Sequence, residues 1–541
     1  MRLFRVNVIF FWRAKAFFGT DGGKKMTSSE MKKYLKKKKR KRAILVSVFL
    51  AVLALGLALG YAFLIRPAFL EDEPRTADTE VQQEQETEPG FESTDISANF
   101  TEPEPEPEPF DEFDIHVMMV GDDLLHMGLV NQGVQADGTR NYDFLFKDIL
   151  EFIDAADIAI VNQESPIGGN DRGFSGYPAF NSPTEAADAI AKAGFDVVLT
   201  ATNHTYDQGL NGLIYFHDYF TTNYPRISVV GTHSNLNEDS RTSHNGSYWL
   251  DKYGVSPNDR PRFDDLELAP EDKVNTANFI IKEVNGVRIS ILNYTYSHNW
   301  ATWANGLDGY LNRLCVYDPG TRELDFNTIN PEVLEDIRLA REVSDIVIVC
   351  PHWGYEYSFE PCAYQKDFAR QMIDAGADVI IGAHPHIVEP VEYITTDSGN
   401  SGLCYYSIGN FIHCQVPNYT SFEGLAWVTI HVDENGAHVD LDNSGALPLV
   451  EYQTWAPLYI QGVYPLEDFT ADMAAKHASN YRGGGAMNLD ILNQWDSNLF
   501  GGFSLTKEDI LGTSYTRGSS AKKDIIKPPA LRRRFFFYLC S

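Results

Sequence analysis

The sequence predicts an α/β protein whose main body contains mixed β-sheets. From Ile115 onward, short apolar segments of strand length alternate with segments of helical hydrophobic spacing, which is the pattern of parallel strands joined by helices. Two dipeptides, Asn285-Gly286 and Asn435-Gly436, lie between alternating apolar residues and predict β-hairpins. Antiparallel strands are therefore expected among the parallel ones. Hydrophobic residues make up 43% of the 541-residue chain, which is enough for a large core.

A membrane anchor is predicted before this body. Most residues between Lys32 and Arg42 are basic, and the uncharged stretch 43–65 that follows is long enough to cross a bilayer as one helix. The positive-inside rule places 1–42 in the cytoplasm and the rest of the chain outside the cell. A cleaved signal peptide is the alternative, but the apolar stretch is longer than the usual signal-peptide core. Met26 is a second candidate for the start of translation.

Residues 66–113 form a predicted acidic stalk. The Glu-Pro repeat from Glu102 to Pro109 favours an extended polyproline II conformation and has no apolar side chains with which to build a core. The formal net charge is −30, and the chain after the basic segment is more acidic still. We therefore expect no nucleic-acid partner.

The body is assigned to residues 114–450. One helix is predicted at 143–155, and another begins with Ser182 as N-cap and Pro183 at the first helical position and ends at Gly194. Residues 232–275 are polar without clear periodicity and predict an insertion or loop. Buried strands are predicted at 115–120, 158–161, 197–199, 227–230, 346–349 and 379–381.

Beyond residue 450 the hydrophobic periodicity thins, and 451–541 is assigned to a C-terminal extension of undetermined structure. Its end joins Arg532–Arg534 to aromatic residues, which fits either contact with a membrane surface or a disordered end. Six cysteines are too few for a disulfide scaffold in a chain of this length, and their pairing stays open.

Polar side chains follow five of the predicted strands. In a near-repeat, residues 193–198 and 375–380 each read Ala-Gly-x-Asp followed by two β-branched residues, and each leads to histidine. Ligands of open α/β sheets bind at the carboxyl ends of strands, so we expect these side chains to meet. Imidazole and carboxylate ligands suit Zn, Mn or Fe better than Ca, and a bridging carboxylate can hold two such ions. The side chains are Asp122, Glu164, Asn203, His204, His352, His384 and His386.

Six motifs in order resemble those of a known family. They are Gly121-Asp122, Asn162-Gln163-Glu164, Thr202-Asn203-His204 with Asp207 and Gly209, His352-Trp353-Gly354-Tyr355-Glu356-Tyr357, Gly382-Ala383-His384-Pro385-His386 and Tyr406-Ser407-Ile408-Gly409-Asn410-Phe411. In this order they resemble the CapA family of poly-gamma-glutamate capsule biosynthesis, which is related to calcineurin-like phosphoesterases. The resemblance implies a calcineurin-like four-layer α-β-β-α sandwich with divalent metal ions at the strand ends.

The resemblance also implies a role for each residue of the set. It implies that Asp122 and His386 bind the first ion and that Glu164 bridges the two ions. It implies that Asn203, His352 and His384 bind the second ion. His204 is the expected general acid or charge stabiliser, with Asp207 orienting it. The expected substrate contacts are Trp353, Glu356 and Asn410, although packing is an alternative for Trp353 and a tight turn for Asn410.

Two departures from the phosphoesterase pattern bear on the reaction. Phosphoesterases usually have Asp-x-His in the first motif, whereas Asp122 is followed by Asp123 and Leu124. His126 could replace the missing histidine as a ligand. A helix-capping or surface role for His126 is an equally good interpretation. Glu164 replaces the usual Asp and lengthens the bridging arm. Resemblance of fold does not by itself establish phosphatase activity.

The leading functional expectation is a membrane-anchored extracellular protein that takes part in synthesis, release or export of an anionic envelope polymer, working with other capsule-synthesis membrane proteins. The alternatives are a metal-dependent phosphoesterase acting on a phosphorylated envelope substrate and a non-catalytic polymer-binding scaffold. An acidic body repels a polyanion, so metal ions and basic groups such as Arg140, Arg172 or Arg313 have to offset that repulsion.

Overall fold

The computed structural model describes residues 110–234, 278–299 and 302–512. The predicted cytoplasmic segment and membrane helix, nearly all of the stalk, most of the predicted insertion and the end of the C-terminal extension lie outside these residues. Within the described part of the chain, no helix is both long enough and apolar enough to span a bilayer.

One mixed sheet has parallel strands on one side and antiparallel strands on the other. In spatial order its strands are β16 (Tyr459–Pro465), β15 (Gly436–Thr454), β14 (Phe422–Asp433), β1 (Phe113–Asp123), β2 (Ile158–Asn162), β3 (Val197–Leu199) and β4 (Ser228–Val230), with β13 (Asn410–Ile412) beside the end of β1. Strands β1 to β4 are parallel, so their carboxyl ends lie at one edge. Strands β14, β15 and β16 add antiparallel neighbours.

The second sheet also has a parallel centre. Its strands, in spatial order, are β11 (Val391–Thr395), β12 (Ser401–Tyr405), β10 (Val379–Ile381), β9 (Ile346–His352), β6 (Val287–Thr295) and β5 (Phe279–Val284). The four inner strands are parallel, and β11 and β5 are antiparallel edges. A separate hairpin pairs β7 (Cys315–Tyr317) with β8 (Leu324–Ile329). The predicted α/β fold with mixed sheets is confirmed.

Both predicted hairpins are present. Val284 pairs with Val287, which leaves a two-residue turn in which Asn285 and Gly286 have φ of 49° and 85°. Positive φ at both turn positions matches the right-handed twist of the strands, and it explains why Asn-Gly is favoured there. The second hairpin joins β14 to β15 at Gly436, whose φ is 112°.

Most of the described helices cover the outer faces of the two sheets. The described helices are α1 (Met127–Gln132), α2 (Leu150–Ala155), α3 (Thr184–Ala193), α4 (Gly209–Asn223), α5 (Pro331–Val343), α6 (Ala363–Ala375), α7 (Ala471–Lys476), α8 (Ser479–Arg482), α9 (Leu489–Leu499) and α10 (Lys507–Leu511). Short 3₁₀ turns are present at Asp143–Leu145, Asn170–Arg172, Asn418–Ser421, Leu466–Asp468 and Gly501–Phe503.

Three hydrophobic clusters separate the layers. Met119 of β1 and Ile348 of β9 belong to one cluster between the two sheets. Met118 points the other way and packs with residues of α2, α3 and α4, while Val349 packs with residues of α5 and α6. The layers therefore run helix, sheet, sheet, helix. Strands buried on both faces have continuous apolar sequences, which made them visible in the sequence.

The predicted helix at 143–155 is interrupted. A 3₁₀ turn and α2 flank residues 146–149, where the chain departs from helical geometry. The Phe146 ring is buried there and stacks on Phe411 with centroids 5.6 Å apart. The apolar spacing that suggested one amphipathic helix thus belongs to two short segments separated by a buried turn.

The start of α3 also differs from the prediction. The helix begins at Thr184, and Ser182 does not cap it because its hydroxyl donates to Ser165 Oγ at 3.1 Å. Asn170 supplies an acceptor instead, since its Oδ1 accepts from the Thr184 backbone N at 3.0 Å. Gly194 ends the helix in the left-handed conformation, as predicted.

The region assigned to a C-terminal extension is continuous with the body up to residue 512. Strand β15 crosses residue 450, and β16 adds a further strand to the same sheet. Leu492, Leu499 and Phe500 join the cluster between the sheets. This part of the chain therefore completes the central core.

The aspartates that open the near-repeated strand segments fix strand register at the end opposite the polar side chains. In each case Oδ2 accepts from a backbone N–H of the neighbouring strand. The pairs are Asp157 with His116 (2.9 Å), Asp196 with Ala159 (3.0 Å), Asp345 with Arg288 (2.7 Å) and Asp378 with Val347 (2.7 Å). Charge-assisted hydrogen bonds of this kind hold parallel strands in one register, so the residues at their carboxyl ends are placed reproducibly.

Gly121 allows β1 and β13 to approach closely next to Asp122. A Cβ at this position would lie 2.0 Å from the Gly409 carbonyl oxygen. We expect Gly121→Ala to lower the free energy of unfolding by about 1–3 kcal/mol through overpacking, as measured by urea denaturation. Gly502→Ala is the matched control, because nothing lies within 4 Å of a Cβ there. Equal midpoints for the two variants would contradict the expected crowding.

Candidate metal centre

The carboxyl ends of the two sheets face each other and bring the predicted residues together. Asp122 is the penultimate residue of β1 and His352 is the last residue of β9, while the others follow β2, β3 and β10 within a few residues. Contacts cross between the sheets: the His384 backbone N donates to Asp122 Oδ2 at 3.3 Å, and His352 Nε2 lies 2.8 Å from Asn203 Oδ1. The buried set is Asp122, Glu164, Asn203, His204, His352, His384 and His386.

Two groups of side chains share one carboxylate. The Asp122 group consists of Asp122, Glu164 and His386, and the His352 group consists of Glu164, His352 and His384. In each group the potential ligand atoms all lie within 4.8 Å of one another. Glu164 belongs to both, which is the position that a carboxylate bridging two cations must occupy.

The histidine nitrogens of the two groups lie close to the carboxylate oxygens. His386 Nδ1 lies 3.1 Å from Asp122 Oδ2 and 3.7 Å from Glu164 Oε2. On the other side, His352 Nε2 lies 3.7 Å from Glu164 Oε1. The two carboxylate oxygens of Glu164 therefore face different histidines.

Several buried polar atoms in the two groups have no hydrogen-bond partner in the described part of the chain. They are both carboxylate oxygens of Glu164 and Nδ1 of His384. A buried polar atom without a partner costs about 1–3 kcal/mol, so native proteins rarely leave one uncompensated. A divalent cation would satisfy all three atoms at once, and imidazole with carboxylate suits Zn, Mn or Fe. The centre is thus compatible with metal binding.

Backbone strain is concentrated at this edge. Seven described residues other than glycine have positive φ, and four of them lie in or beside the centre, namely Asn299 (66°), Tyr357 (63°), His384 (101°) and His386 (61°). Such conformations cost about 1–3 kcal/mol each and persist where the surroundings impose them, as at ligand-binding sites. Here they direct both histidines of the Gly-Ala-His-Pro-His motif toward Glu164 and Asp122.

His204 lies beside the shared carboxylate and is held from its far side. His204 Nδ1 donates to Asp207 Oδ2 at 2.7 Å, and the same oxygen accepts from the Phe180 backbone N at 2.7 Å. The carboxylate fixes the ring proton on Nδ1, so Nε2 carries the lone pair, 4.0 Å from Glu164 Oε1 and 3.5 Å from Asn299 Nδ2. The Phe180 ring packs edge-on against the imidazole at 4.7 Å.

Three asparagines support the centre without having been assigned a role from the sequence. Asn162 Nδ2 donates to Asp122 Oδ1 at 2.7 Å, and Asn299 Oδ1 accepts from Asn203 Nδ2 at 3.0 Å. Asn293 ties the sheets together, since its Oδ1 accepts from the Ala201 backbone N at 2.7 Å. Isolated asparagines give no periodic signal, and Asn162 and Asn293 lie within β2 and β6, where the sequence pattern indicates only a strand.

Burial and mutual charge shift the pKa values of the ion-free centre. Burial, followed by the charge of Asp122, raises the pKa of Glu164 to about 8. Burial opposes ionisation of His386, but Glu164 and Asp122 outweigh it and raise the pKa of His386 to about 9. Burial lowers the pKa of His352 to about 4 and that of His384 well below its ordinary value. Without an ion, we assign the positive charge to His386, the negative charge to Asp122 and a proton to Glu164.

Metal affinity is expected to rise with pH. A cation that binds Glu164 and His386 must displace their protons, and with pKa values of about 8 and about 9 both groups hold them at neutral pH. The apparent affinity for Mn²⁺ should therefore increase between pH 6 and pH 8 by up to about tenfold per pH unit for each displaced proton. Isothermal titration in buffers of different ionisation enthalpy would count the protons released. An affinity that is constant over this range would contradict the assignment.

A third buried group, formed by His413, Glu423 and Glu451, does not fit a cation equally well. His413 Nδ1 accepts from the Gln415 backbone N at 2.8 Å, which places the ring proton on Nε2. That nitrogen then donates to the Thr420 carbonyl oxygen at 2.9 Å. Both ring nitrogens of His413 are therefore occupied by the backbone, and burial raises the pKa of Glu451 to about 8 and that of Glu423 well above its ordinary value.

The family of the chain follows from comparison with known proteins. The model of the bacterial capsule synthesis protein PGA_cap family matches residues 116–245 and 269–415, which together make just over half of the chain. The matched part includes every strand end that contributes to the centre. The chain belongs to this family.

Two curated relatives of this PGA_cap protein carry the name CapA. The capsule biosynthesis protein CapA of Bacillus anthracis is 27% identical over 333 residues, which cover 59% of this chain and 64% of that protein. The PGA biosynthesis protein CapA of Bacillus subtilis is 36% identical over 155 residues, which cover 29% of this chain and 35% of that protein. The chain thus spans less than two thirds of the length of either relative.

Solved structures give a more distant likeness. A 5′-nucleotidase precursor from Thermus thermophilus is 15% identical with a TM-score of 0.31, and the match covers 58% of this chain and 51% of that one. A putative 5′-nucleotidase from Staphylococcus aureus is 13% identical with a TM-score of 0.32, covering 71% and 59%. At these TM-scores the likeness does not define the reaction of the PGA_cap protein.

The predicted substrate contacts of this PGA_cap protein differ in accessibility. Trp353 is fully buried, and its indole Nε1 donates to the Tyr406 carbonyl oxygen at 2.9 Å, so its surface is used in packing and not for a substrate. Asn410 is also buried, and its Oδ1 lies 3.1 Å from His386 Nδ1, which makes it a support for that histidine. Glu356 is exposed, and its contact with substrate stays a prediction.

The alternative ligand and the cysteines can also be placed. His126 stands at the N-cap position of α1 without a side-chain capping bond, and its Nδ1 lies 3.1 Å from the Leu124 carbonyl oxygen. It belongs to neither metal-ligand group, so the Asp122 group is formed without it.

The five cysteines in the described part of the chain are unpaired.

Proposed function

We propose that this PGA_cap family member is a membrane-anchored extracellular protein that acts in synthesis, release or export of a poly-gamma-glutamate capsule through a two-metal, hydrolase-type centre. One observation carries the hydrolase part: two ligand groups share Glu164, and the His204–Asp207 pair lies directly beside that residue. The helix–sheet–sheet–helix layering supports the calcineurin-like four-layer arrangement for which such centres are typical.

The anchoring and the location outside the cell rest on the sequence. Residues 43–65 are uncharged and follow a dense basic segment, and an acidic stalk separates them from the body. All three segments lie outside the described residues, apart from the end of the stalk. An extracellular body is in keeping with a polymer that is assembled at the cell surface.

Two divalent ions fit the centre, one in the Asp122 group and one in the His352 group, with Glu164 between them and Asn203 next to His352. When bound, such ions supply an activated water and positive charge for a developing oxyanion. The protein residues hold the ions, exclude bulk water by burial, and orient the acid–base group. Asp122 and Glu164 carry the negative charge that balances the cations.

His204 is the group that moves a proton. Its Nδ1 proton is committed to Asp207, so Nε2 can accept a proton as a base, and the imidazolium that forms can stabilise negative charge next to Glu164 or return that proton to a leaving oxygen. Phe180 restrains both partners, because its backbone N donates to Asp207 while its ring packs against the imidazole. This arrangement defines the ring tautomer before a substrate arrives.

Attraction of a polyanion falls mainly to the metal ions. Arg140 lies over the Phe174 ring at 4.2 Å and donates to a backbone carbonyl, and Arg313 lies over Tyr317 at 4.5 Å. Both guanidinium groups are thus engaged in packing, whereas Arg172 is exposed. Two cations in the centre would offset the acidic surroundings locally.

A second candidate function is a metal-dependent phosphoesterase acting on a phosphorylated envelope component. The observation that favours it is His204 Nε2 facing the shared carboxylate, a position suited to a phosphoryl leaving group. The same residues serve both candidates, so the substrate distinguishes them.

One assay series tests these functions together. The purified full-length chain, loaded with Mn²⁺ or Zn²⁺, is incubated with γ-linked glutamate chains and with phosphodiesters. Metal-dependent cleavage of the glutamate chain supports the capsule function, and phosphate-ester cleavage alone supports the second candidate. Binding of the polymer that is unaffected by chelation and without turnover would indicate a scaffold and reject both hydrolase proposals.

A further inference from the structure

Asn162 occupies the space between the two ligand groups and touches one member of each. It ends β2, directly beside Asp122 in the register of β1 and β2, and it is fully buried. Its Nδ2 donates to Asp122 Oδ1 at 2.7 Å and lies 3.4 Å from His352 Nδ1. Within the described residues, a single amide thus links a ligand of the first proposed ion to a ligand of the second.

We infer that Asn162 is a positioning residue that sets the relative placement of the two metal ions. The inference rests on the proposed two-metal centre and assigns a role to a side chain outside both ligand groups. Residues that hydrogen-bond to metal ligands orient them, and their loss typically weakens metal binding about 10–100-fold. Asn162 contacts a ligand of each ion, since it donates to Asp122 and its amide packs 3.4 Å from Nδ1 of His352.

The local geometry gives Asn162 little freedom. The adjacent residue Gln163 is fixed by hydrogen bonds to Ser165, and β2 is enclosed between β1 and β3. Asn162 Oδ1 is buried without a hydrogen-bond partner, so the side chain is held by the contacts of Nδ2 alone. An isosteric apolar residue would fill the same volume but would remove the hydrogen bond to Asp122 Oδ1 and the polar contact with His352.

The test compares Mn²⁺ binding by the wild-type chain with Mn²⁺ binding by the Asn162→Leu and Asn162→Ser variants. Serine is included because its small side chain can be accommodated if leucine prevents folding. Titration of the ion-free proteins with MnCl₂ measures affinity and stoichiometry, and EPR at saturation reports the exchange coupling between two neighbouring Mn²⁺ ions. We expect about 10–100-fold weaker binding in the variants and a changed exchange splitting.

Asn278→Leu is the matched control, because Asn278 is also buried and donates to a carboxylate, Asp336, at 3.0 Å. The inference is overturned if the Asn162 variants keep wild-type affinity and splitting, or if Asn278→Leu loses as much. If the wild-type chain itself binds no coupled pair, the two-metal function fails and the inference with it. A coupled wild-type pair with unchanged variants would reject the inference alone.

Discussion

Glu164→Gln should remove most of the bound metal and reduce metal-dependent hydrolysis by about 10³-fold or more, since loss of metal charge stabilisation is worth several kcal/mol. The substitution keeps the side-chain volume but replaces a carboxylate that faces both ligand groups. His386 Nδ1 lies 3.7 Å from Glu164 Oε2, and His352 Nε2 lies 3.7 Å from Glu164 Oε1. One change therefore acts on both proposed ions.

The size of this effect follows from the charges in the centre. With Glu164 neutral, Asp122 is the only carboxylate left in the two ligand groups to balance two divalent cations. Metal content by elemental analysis and turnover against a phosphodiester measure the two consequences separately. Metal loss without unfolding is the expected combination, because burial already keeps Glu164 protonated in the ion-free protein at neutral pH.

Glu389→Gln provides the matched control. Glu389 is fully buried, burial raises its pKa to about 8, and it accepts a hydrogen bond from Gln365 Nε2 at 2.6 Å, outside both ligand groups. We expect this variant to keep its metal. Equal metal content in wild-type and Glu164→Gln protein would reject the bridging role.

The strands that form the centre were the easiest elements to predict. Strands such as β2, β3, β9 and β10 are enclosed by helices on one side and by the other sheet on the other, so their sequences are uninterrupted apolar runs. Each is preceded by an aspartate that accepts from its neighbour and is followed by polar residues. One short stretch of sequence therefore contains the buried strand, the aspartate that fixes its register and the polar residues of the site.

The C-terminal part was not predictable in the same way. Helices α7, α8 and α10 have six residues or fewer, too short for a hydrophobic period to stand out. Leu492 and Leu499 enter the core between the sheets, but they lie far in sequence from most of the strand residues in the same cluster. Only the tertiary fold shows that these leucines complete the core.

The sequence indicated the candidate ligands of the site but not the residues that support them. Histidines and carboxylates after strands have a chemical meaning that can be read from residue type, whereas Asn162 and Asn293 acquire theirs only from neighbours in space. Trp353 is a different case: an aromatic residue next to a ligand fitted either a substrate surface or packing, and its side chain lies in the outer core. The direction in which a side chain points from its sheet decides whether it belongs to the site or to the core.

His204→Ala should lower turnover by about 10²–10⁴-fold, the usual contribution of a general acid or base, and leave metal content unchanged. His204 belongs to neither ligand group, and its nearest contact with them is Nε2 at 4.0 Å from Glu164 Oε1. Steady-state kinetics with a phosphodiester, together with elemental analysis of the same preparation, measures both quantities. Asp207→Asn should cause a smaller loss, because it frees the ring tautomer but keeps the imidazole.

His477→Ala is the control for deletion of a buried imidazole. His477 lies in the C-terminal part and its Nε2 donates to the Glu451 carbonyl oxygen at 3.0 Å, away from the ligand groups. Its loss should affect stability and not the turnover of folded protein. If His204→Ala lost its metal, His204 would be a ligand and not an acid–base group. If it kept full turnover, proton transfer would have to come from another residue, and the paired contact between His204 and Asp207 would be structural.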